Sequence, residues 1–387
     1  MEFCAIISEF NPFHSGHEYL ICQAKKQTNL PVLCLMSGNF VQRGEPAITN
    51  KYARALAAIN AGADMVCELP VCYALSSAEI FAYGAIKILK SLGCTKLVVG
   101  AAHTQLEDYQ SAASINQKSL VSAMKNELDK GENYSKTLIN ITTQKLPNAA
   151  DIFKDASNIL ALEYVRQIKR QKANIDVVLV KRTDGGYNSK KTTNNFASAT
   201  IIRELLKNQK FSDANKFIPS FAHFKPADIT SSNIINSVAM FTLQNMSAEK
   251  LNQFYDYSEG LPNLISNLSK TCTNFEELIN QASSKRYRTA RIKKLCYYPT
   301  INLTKENFKT IKSGRSVVKM LAIKKDKKKF LSEFNKNFTQ VIVSRSDYDN
   351  LSRAQTLSAK LDLNASNLYN ISQKEFNSDI KTGTIFC

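Results

Sequence analysis

The sequence lacks the features that mark membrane or secreted proteins. No uninterrupted apolar stretch reaches the roughly 18 residues that a membrane-spanning helix needs. The first apolar run, residues 3–7, lies between Glu2 and Glu9 and is too short and too acidic for a signal peptide. The nine cysteines are scattered, mostly inside apolar runs, without a Cys-x-x-Cys pair, which is typical of buried thiols in a reducing compartment. We therefore expect a cytoplasmic protein that does not associate with a membrane.

Acidic residues are also few. The 387 residues include 33 Asp and Glu against 51 Lys and Arg, and the formal net charge is +18. Residues 1–150 hold 13 basic and 12 acidic residues, so +17 of the net charge falls on residues 151–387. A basic segment of this size favours nucleic acid, bound through its phosphates. A membrane surface is less well supported because no amphipathic anchor is evident, and a generally lysine-rich composition is the alternative that needs no partner.

Histidine is scarce, with four in the chain, yet two of them stand in the motif His14-Ser15-Gly16-His17. The motif follows an apolar run of the length of a buried parallel strand and precedes a helical pattern. Ligands of an open parallel sheet bind beyond the carboxyl ends of its strands, where a helix N-terminus offers N–H groups to an anion. The two imidazole rings can donate to a triphosphate, and Gly16 lets the backbone approach it. A zinc site is the alternative, but no third ligand with a fitting spacing stands nearby.

Strand and helix patterns alternate through the first half of the chain and predict a Rossmann-like, doubly wound α/β fold with a parallel sheet. Beyond about residue 229 the alternation stops and consecutive helical patterns follow. We therefore predict a nucleotide-binding α/β domain over residues 1–210, a linker over 211–228 and a mostly helical, basic domain suited to nucleic acid over 229–387. The predicted strands are residues 3–7, 31–36, 65–69, 96–99 and 175–180, and the predicted helices are 17–27, 50–60, 76–90, 106–130, 231–243, 248–255, 261–268 and 274–283.

A second group of residues suited to phosphate lies near residue 200. Arg182 follows a predicted strand, and after a glycine-containing loop at 185–195 a helix begins with Ser198 and Thr200 in its first turn and Arg203 behind them. Hydroxyls at a helix N-terminus together with an arginine can bind a phosphate. Lys51 and Arg54, at the start of another helix, are weaker candidates for a phosphate or a small carboxylate, with a solvated first turn as the alternative.

Taken together, His14-x-Gly-His17 and Ser198-Ala-Thr200-Ile-Ile-Arg203 resemble the signatures of the HxGH nucleotidyltransferase superfamily. Within it, the chain resembles the bacterial tRNA(Met) cytidine acetate ligases through residues 9–17, 36–46, 68–70, 157–160, 198–203 and 285–287. The resemblance implies that ATP and acetate form acetyladenylate, and that the acetyl group then passes to the wobble cytidine of elongator tRNA(Met). It implies catalytic roles for His14 and His17, with Mg²⁺ carried by the triphosphate and no metal site of the protein's own.

The same resemblance implies a set of ATP-binding residues. After Gly100 the chain departs from the family pattern, since Ala101-Ala102-His103 stands where the family has Ser-Glu. The expected ATP-binding residues are Ile7, Ser8, Glu9, Phe10, Asn11, Pro12, Phe13, His14, Ser15, Gly16, His17, Glu18, Tyr19, Leu20, Gly100, Asn158, Arg182, Ser198, Thr200 and Arg203.

A cationic segment around Tyr287 is the predicted tRNA contact, because a basic helix face beside an aromatic side chain suits an RNA backbone. A solvated helix face is the alternative. Two other functions stay open at this point: an adenylyltransferase of cofactor synthesis, and a catalytically silent, nucleotide-dependent RNA-binding protein. No protein partner is evident. The predicted tRNA-binding residues are Lys285, Arg286, Arg288, Arg291, Lys293 and Lys294.

Overall fold

A computed structural model describes residues 1–115, 137, 141–144, 146–182, 196–336, 339–373 and 378–387. The first part alternates strand and helix, as predicted. Its strands are β1 (Cys4–Ser8), β2 (Val32–Ser37), β3 (Phe40–Val41), β4 (Glu45–Pro46), β5 (Met65–Leu69), β6 (Lys96–Ala101) and β7 (Asp176–Lys181), and its helices are α1 (Ser15–Thr28), α2 (Lys51–Asn60), α3 (Val71–Ala74), α4 (Ala78–Leu92), α5 (Leu106–Ser114), α6 (Ala156–Arg170) and α7 (Ala199–Lys207).

The second part is mostly helical but returns to strands near its end. The helix predicted over residues 106–130 ends at Ser114, since Ile115 is extended. Residues 116–130 and the predicted loop 185–195 lie outside the described residues. The later elements are α8 (Phe211–Asn215), α9 (Ser232–Gln244), α10 (Ala248–Leu251), α11 (Leu261–Thr271), α12 (Phe275–Ala282), α13 (Thr289–Ile301), α14 (Lys305–Ser313), β8 (Ser316–Ile323), α15 (Lys329–Lys336), β9 (Thr339–Ile342), α16 (Arg353–Asn370) and β10 (Ile385–Phe386), with 3-10 helices at Pro147–Lys154, Ser220–Ala222, Pro226–Asp228, Lys325–Lys327 and Arg345–Tyr348.

Local sequence explains where the first helices begin and end. Asn50 caps α2 by accepting from two backbone N–H groups, and Ser77 caps α4 by accepting from one, that of Ile80. Gly93 ends α4 with φ +83°, a left-handed conformation that glycine adopts without strain. Every residue of β2 and of β5 is buried, as expected for parallel strands covered on both faces.

The order of the strands places the candidate site. The main sheet runs β10-β8-β5-β2-β1-β6-β7, and β5, β2, β1, β6 and β7 are mutually parallel. The chain moves outward from β1 through β2 to β5 and then crosses to β6 on the other side of β1. The crevice at the carboxyl ends of β1 and β6 is therefore the topological switch point, where open α/β sheets bind their ligands.

Three strands from the end of the chain complete this sheet, and the sequence did not predict them. β8 pairs antiparallel with β5, while β9 and β10 pair parallel with β8. All eight residues of β8 are buried, which is typical of a strand inside a sheet. Its apolar run can be recognised as a strand only when its position beside β5 in the fold is known. The segment beyond residue 229 is mostly helical, as predicted, but it contributes strands to the main sheet, and the domain boundaries remain a prediction.

One hydrophobic core joins the two parts. It contains side chains from β1, β2, β5 and α4 together with side chains from α9, α13, β8 and α16. The predicted linker, residues 211–228, folds into α8 and two 3-10 turns, and Ala214, Ile218 and Phe224 pack against Ile202 of α7. In the parts of the chain that the structure describes, no helix is long and apolar enough to cross a membrane.

Candidate active site

The HxGH loop caps helix α1 with its own histidines. His14 is the N-cap residue, and its Nδ1 accepts from the Gly16 backbone N–H at 3.1 Å. His17 returns the contact, because its Nδ1 accepts from the His14 backbone N–H at 3.3 Å. A Cβ on Gly16 would lie 2.9 Å from Cε1 of His14, closer than real Cβ contacts, so the reciprocal cap requires glycine at this position. The motif therefore builds a helix N-terminus in which both rings have defined orientations.

These contacts fix the protonation of both rings. A ring nitrogen that accepts a hydrogen bond carries no proton, so each neutral imidazole holds its proton on Nε2. Burial, together with the charges of Arg182 and Arg203, lowers the pKa of His14 to about 3. Burial also lowers the pKa of His17 well below its usual value, and electrostatic repulsion by the neighbouring His14 and Arg182 acts in the same direction. At neutral pH the pair consists of two uncharged Nε2–H donors, with ring centroids 3.8 Å apart.

A cavity of about 370 Å³ opens beside the two histidines at the switch point. Side chains of α4 and α6, among them Phe81, Leu160 and Tyr164, form an apolar part of its wall, while arginines form a cationic part. A volume of this order is usual for a small-molecule site. Thirteen of the predicted ATP-binding residues line it: Ile7, Ser8, Glu9, Phe10, Asn11, His14, Gly16, His17, Tyr19, Leu20, Gly100, Arg182 and Arg203.

The other predicted ATP-binding residues lie behind the wall or beside it. Asn158 holds the unusual 101–103 loop, since its Oδ1 accepts from the backbone N–H groups of Ala102 at 2.9 Å and His103 at 3.1 Å. Ser15 donates through its Oγ to the Phe217 carbonyl at 2.9 Å, which anchors the predicted linker to the motif. The predicted residues that do not line the cavity are Pro12, Phe13, Ser15, Glu18, Asn158, Ser198 and Thr200.

The predicted arginines are placed by the HxGH loop and the sheet. Arg203 donates from Nη1 to the Asn11 carbonyl at 2.6 Å and from Nη2 to Thr200 Oγ1 at 3.2 Å. Ser198 caps α7 and so sets the position of Arg203 one turn later. Arg182 follows β7, and its N–H donates to the Ala101 carbonyl at 3.0 Å. The second predicted phosphate-facing group thus lies at the same crevice as the first.

Sequence reasoning missed two cavity residues on the β3–β4 hairpin, Gln42 and Arg43. The Gln42 N–H donates to Glu9 Oε1 at 2.8 Å, so the hairpin is tied to the loop that follows β1. Burial raises the pKa of Glu9, although Gln42 and the charge of Arg43 oppose the rise. The distinctive stretch 36–46 was the signal for this hairpin, but only the fold reveals that it reaches the cavity.

Two buried donors in the cavity wall have no hydrogen-bond partner among the described residues. They are Ser8 Oγ and Asn11 Nδ2, and Asn11 is only 2% exposed. The Oδ1 of the same amide accepts from the Ile48 N–H at 2.8 Å, which orients the side chain. Buried polar groups are nearly always paired, so these two unpartnered donors are exceptions in the packing beside the cavity.

Lys51 and Arg54 do not reach the cavity, so their proposed roles in phosphate or carboxylate binding are wrong, as is the solvated alternative. Lys51 is 1% exposed, and its Nζ donates to Glu68 at 2.6 Å, Asp379 at 2.8 Å and Ser366 at 3.1 Å. Burial opposes its charge, but the two carboxylates outweigh burial and raise its pKa. Arg54 is equally buried and donates to backbone carbonyls, including that of Glu9 at 2.6 Å. Both residues are structural cations.

The basic segment divides into exposed and buried members. Lys285, Arg286 and Arg288 are exposed, and Arg288 also lines the cavity. Arg291 forms a two-pronged ion pair with Asp256, with both distances 2.9 Å. Lys294 is 8% exposed and donates to the Ser76 carbonyl at 2.8 Å, and burial lowers its pKa to about 8. The predicted RNA contact by Lys294 is therefore corrected, because its side chain points into the protein.

A metal site formed by side chains alone is not found in the described part of the chain, where no three His, Cys, Asp or Glu side chains cluster suitably. The cationic wall and the Nε2–H donors fit the oxygens of a triphosphate instead. A hard cation such as Mg²⁺ that accompanies a triphosphate takes most of its ligands from phosphate and water, so the residues present are compatible with it.

Fold and site together define an α/β protein of the nucleotide-binding class. Residues 1–382 match the HIGH Nucleotidyl Transferase family. The tRNA(Met) cytidine acetate ligase of Clostridium novyi (strain NT) is 34% identical over 405 residues, with 100% of each chain covered. The crystal structure of Thermotoga maritima TmcAL (apo, form I) superposes with a TM-score of 0.90 at 22% identity, and the form bound to alpha-thio ATP with a TM-score of 0.88, each over 100% of both chains.

The chain therefore belongs to the HIGH nucleotidyltransferase family and, within it, to the tRNA(Met) cytidine acetate ligases. The predicted family resemblance and the predicted fold class are confirmed. The comparisons do not favour the two other functions, cofactor adenylyltransferase and silent RNA-binding protein.

Proposed function

We propose that this protein is an ATP-dependent ligase that converts acetate to acetyladenylate and transfers the acetyl group to the wobble cytidine of elongator tRNA(Met), forming N4-acetylcytidine. The observation that carries the proposal is the pair of neutral, oriented Nε2–H donors over a cavity that also contains Arg182 and Arg203. The names of the relatives and the ATP analogue bound by the Thermotoga maritima protein support the choice of reaction and of ATP. Since tRNA and ATP are cytoplasmic, we place the protein in the cytoplasm.

In the first step a carboxylate oxygen of acetate attacks the α-phosphorus of ATP, and the bond from that phosphorus to pyrophosphate breaks. Negative charge increases on the non-bridging α-phosphate oxygens and on the leaving pyrophosphate. Groups that already point at the developing charge lower the barrier most, because they need no reorganisation. His14 and His17 are such groups, since the reciprocal cap holds their rings before any substrate binds.

The arginines have a complementary task. Because a guanidinium is always charged and binds oxygens in a fixed fork, Arg182, Arg203 and Arg43 suit the triphosphate. Mg²⁺ bound to the triphosphate would supply further charge neutralisation.

In the second step the exocyclic amine of cytidine attacks the carbonyl carbon of acetyladenylate, a proton leaves the amine, and the bond from that carbon to the adenylate oxygen breaks. AMP is the leaving group, so the protein forms no covalent bond to the acetyl group. The base must leave the anticodon stack to reach the cavity. Lys285, Arg286, Arg288, Arg291 and Lys293 are the proposed tRNA contacts that remain after the correction of Lys294.

The test supplies the protein with ATP, Mg²⁺, labelled acetate and bulk tRNA and identifies the labelled nucleoside. We expect N4-acetylcytidine in tRNA(Met) with acetate and ATP, and none with acetyl-CoA in the absence of ATP. Acetylation from acetyl-CoA alone would contradict the ligase mechanism. Since one methylene is worth only about 1–3 kcal/mol of discrimination, propionate should be a poor but measurable substrate.

A further inference from the structure

A second cavity adjoins the first. Its volume is about 500 Å³, and it is formed by the β3–β4 hairpin, helix α7 and the start of α13. The two cavities share Gln42, Arg43 and Arg203 as a common wall. Any polymer that presents one group to the first cavity must pass over the surface beside it. Among the described residues, the second cavity is the groove that lies beside the first cavity.

The charge of this groove suits a polyanion. Its wall contains four cations, Arg43, Arg203, Lys207 and Lys293, against the two carboxylates of Glu45 and Glu204. Glu45 lies 3.7 Å from Nε of Arg203, so part of the negative charge is already neutralised. Two net positive charges remain, and the groove is open to solvent on one side, as an RNA strand requires.

The placement of these cations follows from the fold. Thr200, Arg203, Glu204 and Lys207 recur at helical spacing, so α7 presents one face to the groove while Ile202 and Leu206 of the same helix are buried. On the other side, Gly44 of the hairpin has φ +80°, and a Cβ there would lie 2.9 Å from Cβ of Lys293 and from the Ala290 carbonyl. This close approach holds the hairpin, which carries Arg43, directly against the start of α13.

We propose that the second cavity binds a phosphodiester of the anticodon loop next to the target cytidine, with Lys207 and Lys293 as its main cations. Arg43 and Arg203, in the common wall, then lie between this phosphate and the adenylate, where the flipped base must pass. The inference rests on the proposed function and names the part of the tRNA that this surface receives.

The test is the double variant Lys207→Ala/Lys293→Ala, studied with an anticodon stem-loop RNA and with a tRNA acceptor minihelix. Two lost contacts to single-stranded phosphates should reduce the slope of log K against log salt by about 1.4. We expect affinity for the stem-loop to fall about tenfold or more near physiological salt, with binding of the minihelix unchanged. The charge-preserving variant Lys207→Arg/Lys293→Arg should restore most of the affinity. The matched control is Lys26→Ala/Lys270→Ala, which removes two exposed lysines from the last turns of α1 and α11, outside both cavities.

Acetate-dependent exchange of labelled pyrophosphate into ATP separates this proposal from its competitor. If the groove receives RNA, the KM for pyrophosphate stays within about twofold, since neither lysine lines the first cavity. A raised KM for pyrophosphate with unchanged stem-loop binding would overturn the proposal and assign the groove to the leaving group. Unchanged binding and an unchanged salt slope would also overturn it. Because RNA binding is measured without acetylation, failure of the proposed reaction in the wild type is a separate result.

Discussion

His14 has two separable tasks, and one substitution distinguishes them. Its Nδ1 caps helix α1, while its Nε2–H is the donor proposed for the transition state. In His14→Asn, the amide Oδ1 can replace Nδ1 as the cap acceptor, but no donor reaches the position of Nε2. In His14→Ala, both groups are lost. The two variants therefore differ in stability and agree in catalysis if the assignment is right.

The expected magnitudes follow from the two contacts. Loss of an N-cap hydrogen bond costs about 1 kcal/mol, so His14→Ala should be less stable than His14→Asn by that amount in urea unfolding. Removal of one preorganised donor costs about 10²–10³ in kcat, or roughly 2.7–4 kcal/mol of transition-state stabilisation. Both variants should show this loss in acetate-dependent pyrophosphate exchange. If His14→Asn retains at least a third of the wild-type rate, the ring is a structural cap and the catalytic assignment fails.

Three further predictions concern the pH, the cavity and the buried ion cluster. The pKa of His14 is lowered in the folded state, whereas the unfolded side chain binds a proton below about pH 6.5. The free energy of unfolding should therefore fall as the pH drops through 6.5, by up to about 2 kcal/mol at pH 5. A His14→Asn variant with the same pH dependence in urea unfolding would contradict this. A Cβ on Gly100 would lie 3.7 Å from the nearest protein atoms, which is an ordinary contact, so the Gly100→Ala variant should fold normally. The added methyl group should fill part of the cavity and raise the KM for ATP about tenfold or more. An unchanged KM would show that Gly100 is not part of the ATP site. Lys51→Met leaves the carboxylates of Glu68 and Asp379 without their shared cation, so it should lower the free energy of unfolding in urea by about 3–5 kcal/mol. The control Lys25→Met, at a partly exposed lysine, should lower it by less than about 1 kcal/mol. Equal losses in the two variants would contradict the argument that burial makes Lys51 important.

The elements around the HxGH motif could be predicted because their signals are local. Buried parallel strands read as short apolar runs, and the caps at Asn50 and Ser77 precede apolar residues at helical spacing. β8 carries the same kind of run, but Lys319 interrupts it and helical patterns precede it. Its lysine is buried because Asp379, far along the chain, supplies the partner at 3.1 Å. Long-range pairing of this kind leaves no pattern in a local window.

The candidate site divides in the same way. The contacts of His14, Gly16 and His17 lie within four residues, so the motif and its place between a strand and a helix predicted a site there. Arg43 reaches the cavity only because a hairpin folds back toward β1. Lys51 and Lys294 look like surface cations in the sequence, yet their partners lie in distant segments that bury them. Charge in a sequence indicates a binding function only when the fold leaves that charge facing a cavity or the solvent.

In the proposed reaction an oxygen of acetate forms a bond to the α-phosphorus of ATP. An isotope label on that oxygen shows where it goes. Acetate labelled with ¹⁸O in both carboxylate oxygens is supplied with ATP, Mg²⁺ and tRNA, and the nucleotide products are analysed by mass spectrometry. Because the carbon–oxygen bond breaks in the second step, the oxygen that bridged carbon and phosphorus stays on phosphorus. We expect AMP with one ¹⁸O atom, unlabelled pyrophosphate, and acetylcytidine that retains the other ¹⁸O atom. Unlabelled AMP, or label in inorganic phosphate with ADP as the nucleotide product, would contradict it.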